Sequence, residues 1–397
     1  MPELSNSDIL LTIYYEQVLR KAESLYDEGG ESLGAGLELF DEEFGGIEQG
    51  QKNAEILAGE NPESRELCLA YALNGVGLLQ LRQSTVERIR WLRAAEKLLD
   101  DSDTETDEHL LNARMGVLSN LGLAYADLGE PLQAIDFHRR HLSLASSQNN
   151  LLSQGTALTN LGSAYQEANE RRKAIESFRE ALKIYRKIKD SKSSGRILSN
   201  LASVYIDLGE PEKARRLYEQ HLADARKSGD RLAEGVSWGG LGIALSMLGG
   251  DAPEEVYECH KKQLFIAREL KDQREIANAL GNLSLAYLDN PNQSKQALDN
   301  ALESLKIADE LADDRLKANA LGRLGTVYSY AGEYKKAVKY HTRHLKLAAK
   351  VGDRRGESLA YANLAILYTR TGQMQKAAYY YRRYLKLARL SNRSQLV

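Results

Sequence analysis

Six of the seven histidines, His138, His141, His221, His260, His341 and His344, fall in segments with helical periodicity. His138/His141 and His341/His344 stand three residues apart, which on a helix puts two imidazoles on one side, where they could share a metal ion. No cysteine or carboxylate completes such a site, and the equivalent positions elsewhere hold Phe178, Ala181, Tyr218, Tyr381 and Tyr384. The histidines therefore read as core residues, and the sequence assigns neither a metal nor a cofactor. Catalysis has no better support. There is no Gly-x-Ser-x-Gly nucleophile elbow and no Gly-x4-Gly-Lys-Ser/Thr phosphate loop. The expectation is a protein that is not an enzyme.

Carboxamides carry the richer signal. Asn120, Asn160, Asn200, Asn282 and Asn363 each precede a leucine and a small residue, at near-constant intervals. Gly240-Leu241-Gly242 and Arg323-Leu324-Gly325 fill the two gaps, so the steps run from 40 to 42 residues. A carboxamide offers one donor and one acceptor edge, matching a peptide group. A row of them grips an extended main chain without reading its side chains. Asn278 and Asn319 extend the row by one helical turn. Asp127, Glu167, Asp207 and Asp289 close their helices at the C-terminal end, where the dipole disfavours negative charge by about 0.3–1 kcal/mol. Tolerating that cost fits attraction of a ligand's Lys or Arg. The candidate peptide-binding set is thus Asn120, Asn160, Asn200, Asn278, Asn282, Asn319, Arg323, Asn363, Asp127, Glu167, Asp207 and Asp289. Met247, Tyr330 and Arg370 replace the acids elsewhere. The expected ligand is basic near the first repeats and acidic or aromatic near the last.

The elements that position this row come from the same period. A fixed repeat of about 40 residues means stacked identical units. In the second copy, Leu158, Leu161, Tyr165 and Ala168 form one apolar helical stripe, Asn169-Glu170 turns the chain, and Ala174, Ile175, Phe178, Ala181, Leu182 and Tyr185 form a second. Leu128-Gly129-Glu130-Pro131 and Leu208-Gly209-Glu210-Pro211 end one helix with glycine and start the next with proline. Gly229-Asp230 and Gly352-Asp353 end second helices, and each aspartate caps the next helix. The fold class is all-α, a right-handed α-solenoid. Residues 110–397 hold seven repeats. Residues 1–109 form an off-period helical capping or linker region, with helices expected over 8–26, 37–57, 63–81 and 85–99. The fourth repeat, with Gly239-Gly240 and a lengthened turn through Gly249-Gly250-Asp251-Ala252-Pro253, is the expected place for the stack to bend.

The pattern resembles the tetratricopeptide repeat (TPR) in its longer form. Leu158-x2-Leu161-Gly162-x2-Tyr165 is nearly literal, and Trp238-x2-Leu241-Gly242 supplies the family's tryptophan. Such repeats are known from kinesin light chain, Pins-type scaffolds and the sensor regions of bacterial STAND ATPases. The stretches from Leu39 to Ile47 and from Glu87 to Leu92 look like the STAND linker. The resemblance implies a scaffold or sensor that binds a protein or peptide in a concave groove, or senses a small ligand for a STAND-type system.

Composition fits that expectation. The 397 residues are 43% hydrophobic and 27% charged, with no long apolar run and only two cysteines, Cys68 and Cys259, outside any metal or redox spacing. A cytoplasmic location without membrane contact is expected. Net charge is −3, yet residues 1–130 carry 26 acids against 10 bases, while residues 314–397 carry 4 against 18. The basic end, with Arg354-Arg355 and Arg382-Arg383, suggests nucleic acid as an alternative partner, and the acidic end opposes it. Tyr379, Tyr380, Tyr381 and Tyr384 on the last helix suggest a face for self-association.

Overall fold

A computed structural model describes residues 4–28, 30–58, 62–99, 107–249 and 253–393. Among them all regular structure is helical, in nineteen α-helices and short 3-10 turns. The chain forms two compact units, residues 1–167 and 168–397.

The first unit contains α1 (Asn6–Glu28), α2 (Gly30–Leu57), α3 (Pro62–Leu73), α4 (Val76–Arg82), α5 (Thr85–Leu98), α6 (Glu108–Asp127), α7 (Pro131–Ser147) and α8 (Leu151–Glu167). Its N-terminal core packs Leu19, Phe40, Ile47 and Leu78 around Trp91, which meets Tyr71 edge-on at 6.2 Å. The single helix expected over 63–81 is two helices. Gly75 takes φ +68°, a conformation that ends α3, and Glu23 then accepts the Gly77 and Leu78 N–H groups at 2.8 and 3.1 Å, capping α4. Asn74 donates to Glu16 at 2.6 Å and fixes the break. α2 also begins at Gly30, earlier than the periodicity suggests.

The second unit contains α9 (Arg171–Lys187), α10 (Ser191–Asp207), α11 (Pro211–Ser228), α12 (Arg231–Leu248), α13 (Pro253–Glu269), α14 (Gln273–Ala286), α15 (Ser294–Glu310), α16 (Asp314–Tyr330), α17 (Tyr334–Lys350), α18 (Arg354–Arg370) and α19 (Met374–Arg393). Asp190, Asp230, Asp272, Asp313 and Asp353 each accept a backbone N–H at the start of a first helix. Each comes directly after a residue of positive φ: Lys189, Gly229, Lys271, Ala312 or Gly352. This pair of signals, left-handed residue then aspartate, resets the chain once per repeat.

Packing repeats with the sequence. Ala134, Ala174, Ala214, Ala297, Ala337 and Ala377 are all buried, as are the seven leucines next to the Asn column. First-helix tyrosines stack on second-helix rings, Tyr125 on Phe137 at 5.4 Å, Tyr328 on Tyr340 at 5.3 Å and Tyr368 on Tyr380 at 5.4 Å. Their hydroxyls also serve the neighbouring repeat. Arg139 donates to Tyr165 Oη at 2.7 Å, and Arg179 to Tyr205 Oη at 2.9 Å.

In the second unit each first helix touches the next first helix, α10 to α12 to α14 to α16 to α18, whereas successive second helices do not pack comparably. The first helices therefore form the inner layer, toward which a stack of such repeats curves. The glycines of the fourth repeat do not interrupt α12. Gly240 makes room for the Tyr218 ring and Gly239 for Gln263, so the missing side chains are replaced from neighbouring helices. Residues 250–252 of the lengthened turn lie outside the described ones.

Candidate functional site

The inner layer of the second unit carries the carboxamide column. Asn200, Asn278, Asn282 and Asn363 are half-buried, and Asn319 is exposed. Asn200, Asn319 and Asn363 have no hydrogen-bond partner among the described residues. Asn278 donates to Glu275 at 3.2 Å. Asn282 is committed to two side chains, donating to Gln263 Oε1 at 3.3 Å and accepting from Arg323 Nη2 at 3.0 Å. Among the described residues, none of these carboxamide side chains is bonded to the protein's own main chain.

Arg323 stands where other repeats have Asn, and its guanidinium lies on Gly281, in space a methyl group would fill. Nη1 is enclosed there without a hydrogen-bond partner among the described residues. Burial lowers its pKa to about 10, with Glu275 acting the other way, so the group stays cationic at neutral pH.

Asp207, at the end of α10, pairs with Arg355 at the start of α18, Oδ1 to Nη1 at 2.7 Å. The aspartate side chain is 10% exposed and the arginine 75%. The pair joins the third repeat to the seventh along the inner side. The side chain of Asp289 lies outside the described residues.

In the first unit, Asn160 on α8 reaches Ser119 on α6 at 3.4 Å, so the column is continuous between neighbouring repeats. Asn120 has no partner among the described residues. Asp127 is held by Arg88 at 2.6 Å and by Gln80 at 3.3 Å. That carboxylate ties α4 and α5 to the first repeat. Glu167 is exposed at the end of α8.

With this geometry in place, comparison with known proteins decides the family. The tetratricopeptide-repeat model matches residues 114–187, 193–257 and 316–389, together more than half of the chain. The chain belongs to the TPR family. No curated protein matches it significantly. Among solved structures, a Rap protein complexed with Competence and Sporulation Factor is 15% identical, covering 98% of this TPR chain and 100% of that one, with a TM-score of 0.63. The Rap conjugation gene regulator of plasmid pLS20, in complex with the Phr* peptide, is 15% identical over 96% of each chain, with a TM-score of 0.61. A STAND protein with a TPR sensor from Pyrococcus horikoshii is 17% identical, covering 98% of this chain and 59% of that one, with a TM-score of 0.51. At these identities the likeness concerns the fold.

The histidines of this TPR protein fill space left by glycines. His138 lies on Gly122, His221 on Gly195, His260 on Gly242, His341 on Gly325 and His344 on Gly322. Burial lowers the pKa of His138 to about 3 and of His141, His260 and His341 to about 4, so they are neutral at physiological pH. Among the described residues, no group of three or more His, Cys, Asp or Glu is placed to hold a metal ion. Sequence reasoning missed Gln263 and the role of Arg355. Gln263 faces Gly239, a pairing between helices with no local signal. The Arg354-Arg355 dipeptide is visible in the sequence as a charge, but its partner lies four repeats upstream.

Proposed function

We propose that this TPR protein binds a protein or peptide ligand in extended form along its inner carboxamide column, acting as a scaffold or sensor and catalysing no reaction. One observation carries this reading: Asn200, Asn319 and Asn363 present donor and acceptor groups on the inner layer without partners among the described residues. Polar groups left this way gain most from a ligand that brings peptide groups. The similar Rap regulator is in complex with a peptide, which supports a peptide as the class of ligand. Arg355, a candidate phosphate contact, is engaged by Asp207, which disfavours the nucleic-acid alternative. Among the described residues no helix is long and apolar enough to cross a membrane. Two buried free cysteines, Cys68 and Cys259, fit a cytoplasmic setting.

Peptides selected from a random pool on the full chain supply the test. Replacing Asn200, Asn319 and Asn363 together by Ala removes roughly 0.5–1.5 kcal/mol per lost hydrogen bond, weakening binding by roughly 10- to 1000-fold. Equal affinity in a variant with an unchanged melting temperature contradicts the reading.

A further inference from the structure

One position of the second helix is buried in six repeats and open in the seventh. His138, Phe178, Tyr218, His260, Ala301 and His341 hold it in the first six, none more than 7% exposed. Its seventh member, Tyr381 on α19, is 41% exposed. One turn further along, Leu182, Leu222 and Leu305 are buried, whereas Leu385 is 48% exposed. Packing order accounts for the difference. Each second helix from α7 to α17 packs against the first helix of the next repeat, as Tyr218 does against Gly240 of α12. No helix follows α19 among the described residues. Repeats bury their apolar faces by stacking, so α19 keeps room for one more first helix.

A second open apolar face lies on α1. That helix buries Thr12, Val18, Leu19 and Ala22. Its opposite side exposes Leu10 at 68% and Tyr14 at 52%, with Leu11 and Ile13 beside them. The two faces differ in charge. α19 carries six bases and no acid. α1 carries five acids and two bases, and α2, packed along it, seven acids and one base. Arg382, Arg383 and Lys386, which flank Tyr381 and Leu385, form no ion pair among the described residues, and neither do Glu38, Glu42 and Glu43 of α2.

We infer that α19 binds the N-terminal half of α1 of a second copy of this chain, seated as the first helix of the next repeat is seated on α7 to α17. Apolar contact covers Tyr381 and Leu385 with Leu10 and Tyr14, and opposite charges surround it. Pairing α19 with α19 sets bases against bases, and pairing α1 with α1 sets acids against acids, so charge selects the unlike pair. The contact is heterologous and joins copies head to tail. It uses no residue of the inner carboxamide column.

Sedimentation velocity of the full chain across a concentration series supplies the test. The wild type should associate, about tenfold or more weaker at about 1 M salt than at about 0.1 M, because the screening length falls from about 10 to 3 Å. Leu10→Gln with Tyr14→Gln, and Tyr381→Gln with Leu385→Gln, should each weaken association about tenfold or more. Melting temperatures verify the folds, and the single changes Tyr14→Gln and Leu385→Gln serve if a double variant unfolds. An equimolar mixture of the two variants should regain wild-type affinity and stop at a dimer, since it holds one intact α19 face and one intact α1 face. A monomeric wild type overturns the inference, as does association indifferent to salt. Loss confined to the α19 variant, which makes α19 of another copy the occupant, overturns it too. So does loss in both variants without recovery on mixing.

Discussion

Arg355 on the seventh repeat reaches Asp207 on the third, 2.7 Å from nitrogen to oxygen, closing the inner side of the second unit across four repeats. A solenoid is held by contacts between neighbours, so its curvature is ordinarily the sum of small local rotations. A pair between distant repeats adds a direct constraint on that sum. Because Arg355 is mostly exposed, solvent screening limits its contribution to stability to about 1 kcal/mol or less. Its effect is on shape. Arg355→Glu should leave the melting temperature nearly unchanged while lengthening and broadening the distance between spin labels at Leu208 and Leu359, measured by double electron–electron resonance. An unchanged distribution would show that neighbour packing alone sets the curvature.

The histidines make acid stability predictable. Their folded-state pKa values lie below the roughly 6.5 of an unfolded chain. Between pH 6.5 and about 4, or about 3 for His138, the unfolded state binds more protons, so stability falls as pH drops through that window and levels off below it. Each such histidine costs roughly 2 kcal/mol by pH 5. Thermal melts from pH 7.5 to 4.5 should show a steep loss beginning near pH 6.5. Replacing His138 by Phe, the residue found at the same place in the second repeat, should flatten the curve by about one histidine's share.

Two glycines in helices should respond oppositely to alanine. At Gly325 a methyl group meets the His341 ring at 2.8 Å, and overpacking of that kind costs about 1–3 kcal/mol. At Gly45, on the exposed side of α2, nothing lies within 4 Å, and alanine should stabilise by about 0.5–1 kcal/mol. Urea unfolding of Gly325→Ala and Gly45→Ala measures both.

The fourth repeat offers a sharper case. Restoring the column with Gly240→Asn places a side chain where the Tyr218 ring packs. A loss of about 1–3 kcal/mol is expected, observable as a lower urea midpoint. Neutral behaviour would mean that the gap is simple sequence decay and that Tyr218 moves aside freely.

These residues also mark how much of the molecule is legible in the sequence. The period of Asn, Leu and Tyr, with glycine, proline and aspartate punctuation, announces the repeats because each signal is local and recurs along the chain. The break at Gly75 is hidden because its stabilising partners, Glu16 and Glu23, lie on α1. The filling of Gly239 and Gly240 by Gln263 and Tyr218 couples helices whose registers no single repeat records. The Asp207–Arg355 pair is farther still from sequence reasoning, since it depends on curvature accumulated over four repeats. The column is visible in the sequence as a set of positions. Which amides are free and which are already engaged, as at Asn282, depends on contacts between helices.

The most direct measurement is a titration of the full chain with a selected peptide and with its backbone N-methylated analogue, repeated on the Asn200/Asn319/Asn363→Ala variant. Removal of main-chain N–H donors should weaken wild-type binding by about 10- to 100-fold and add little further loss in the variant. Equal binding of both peptides to the wild type would contradict recognition of the ligand's main chain by the carboxamide column.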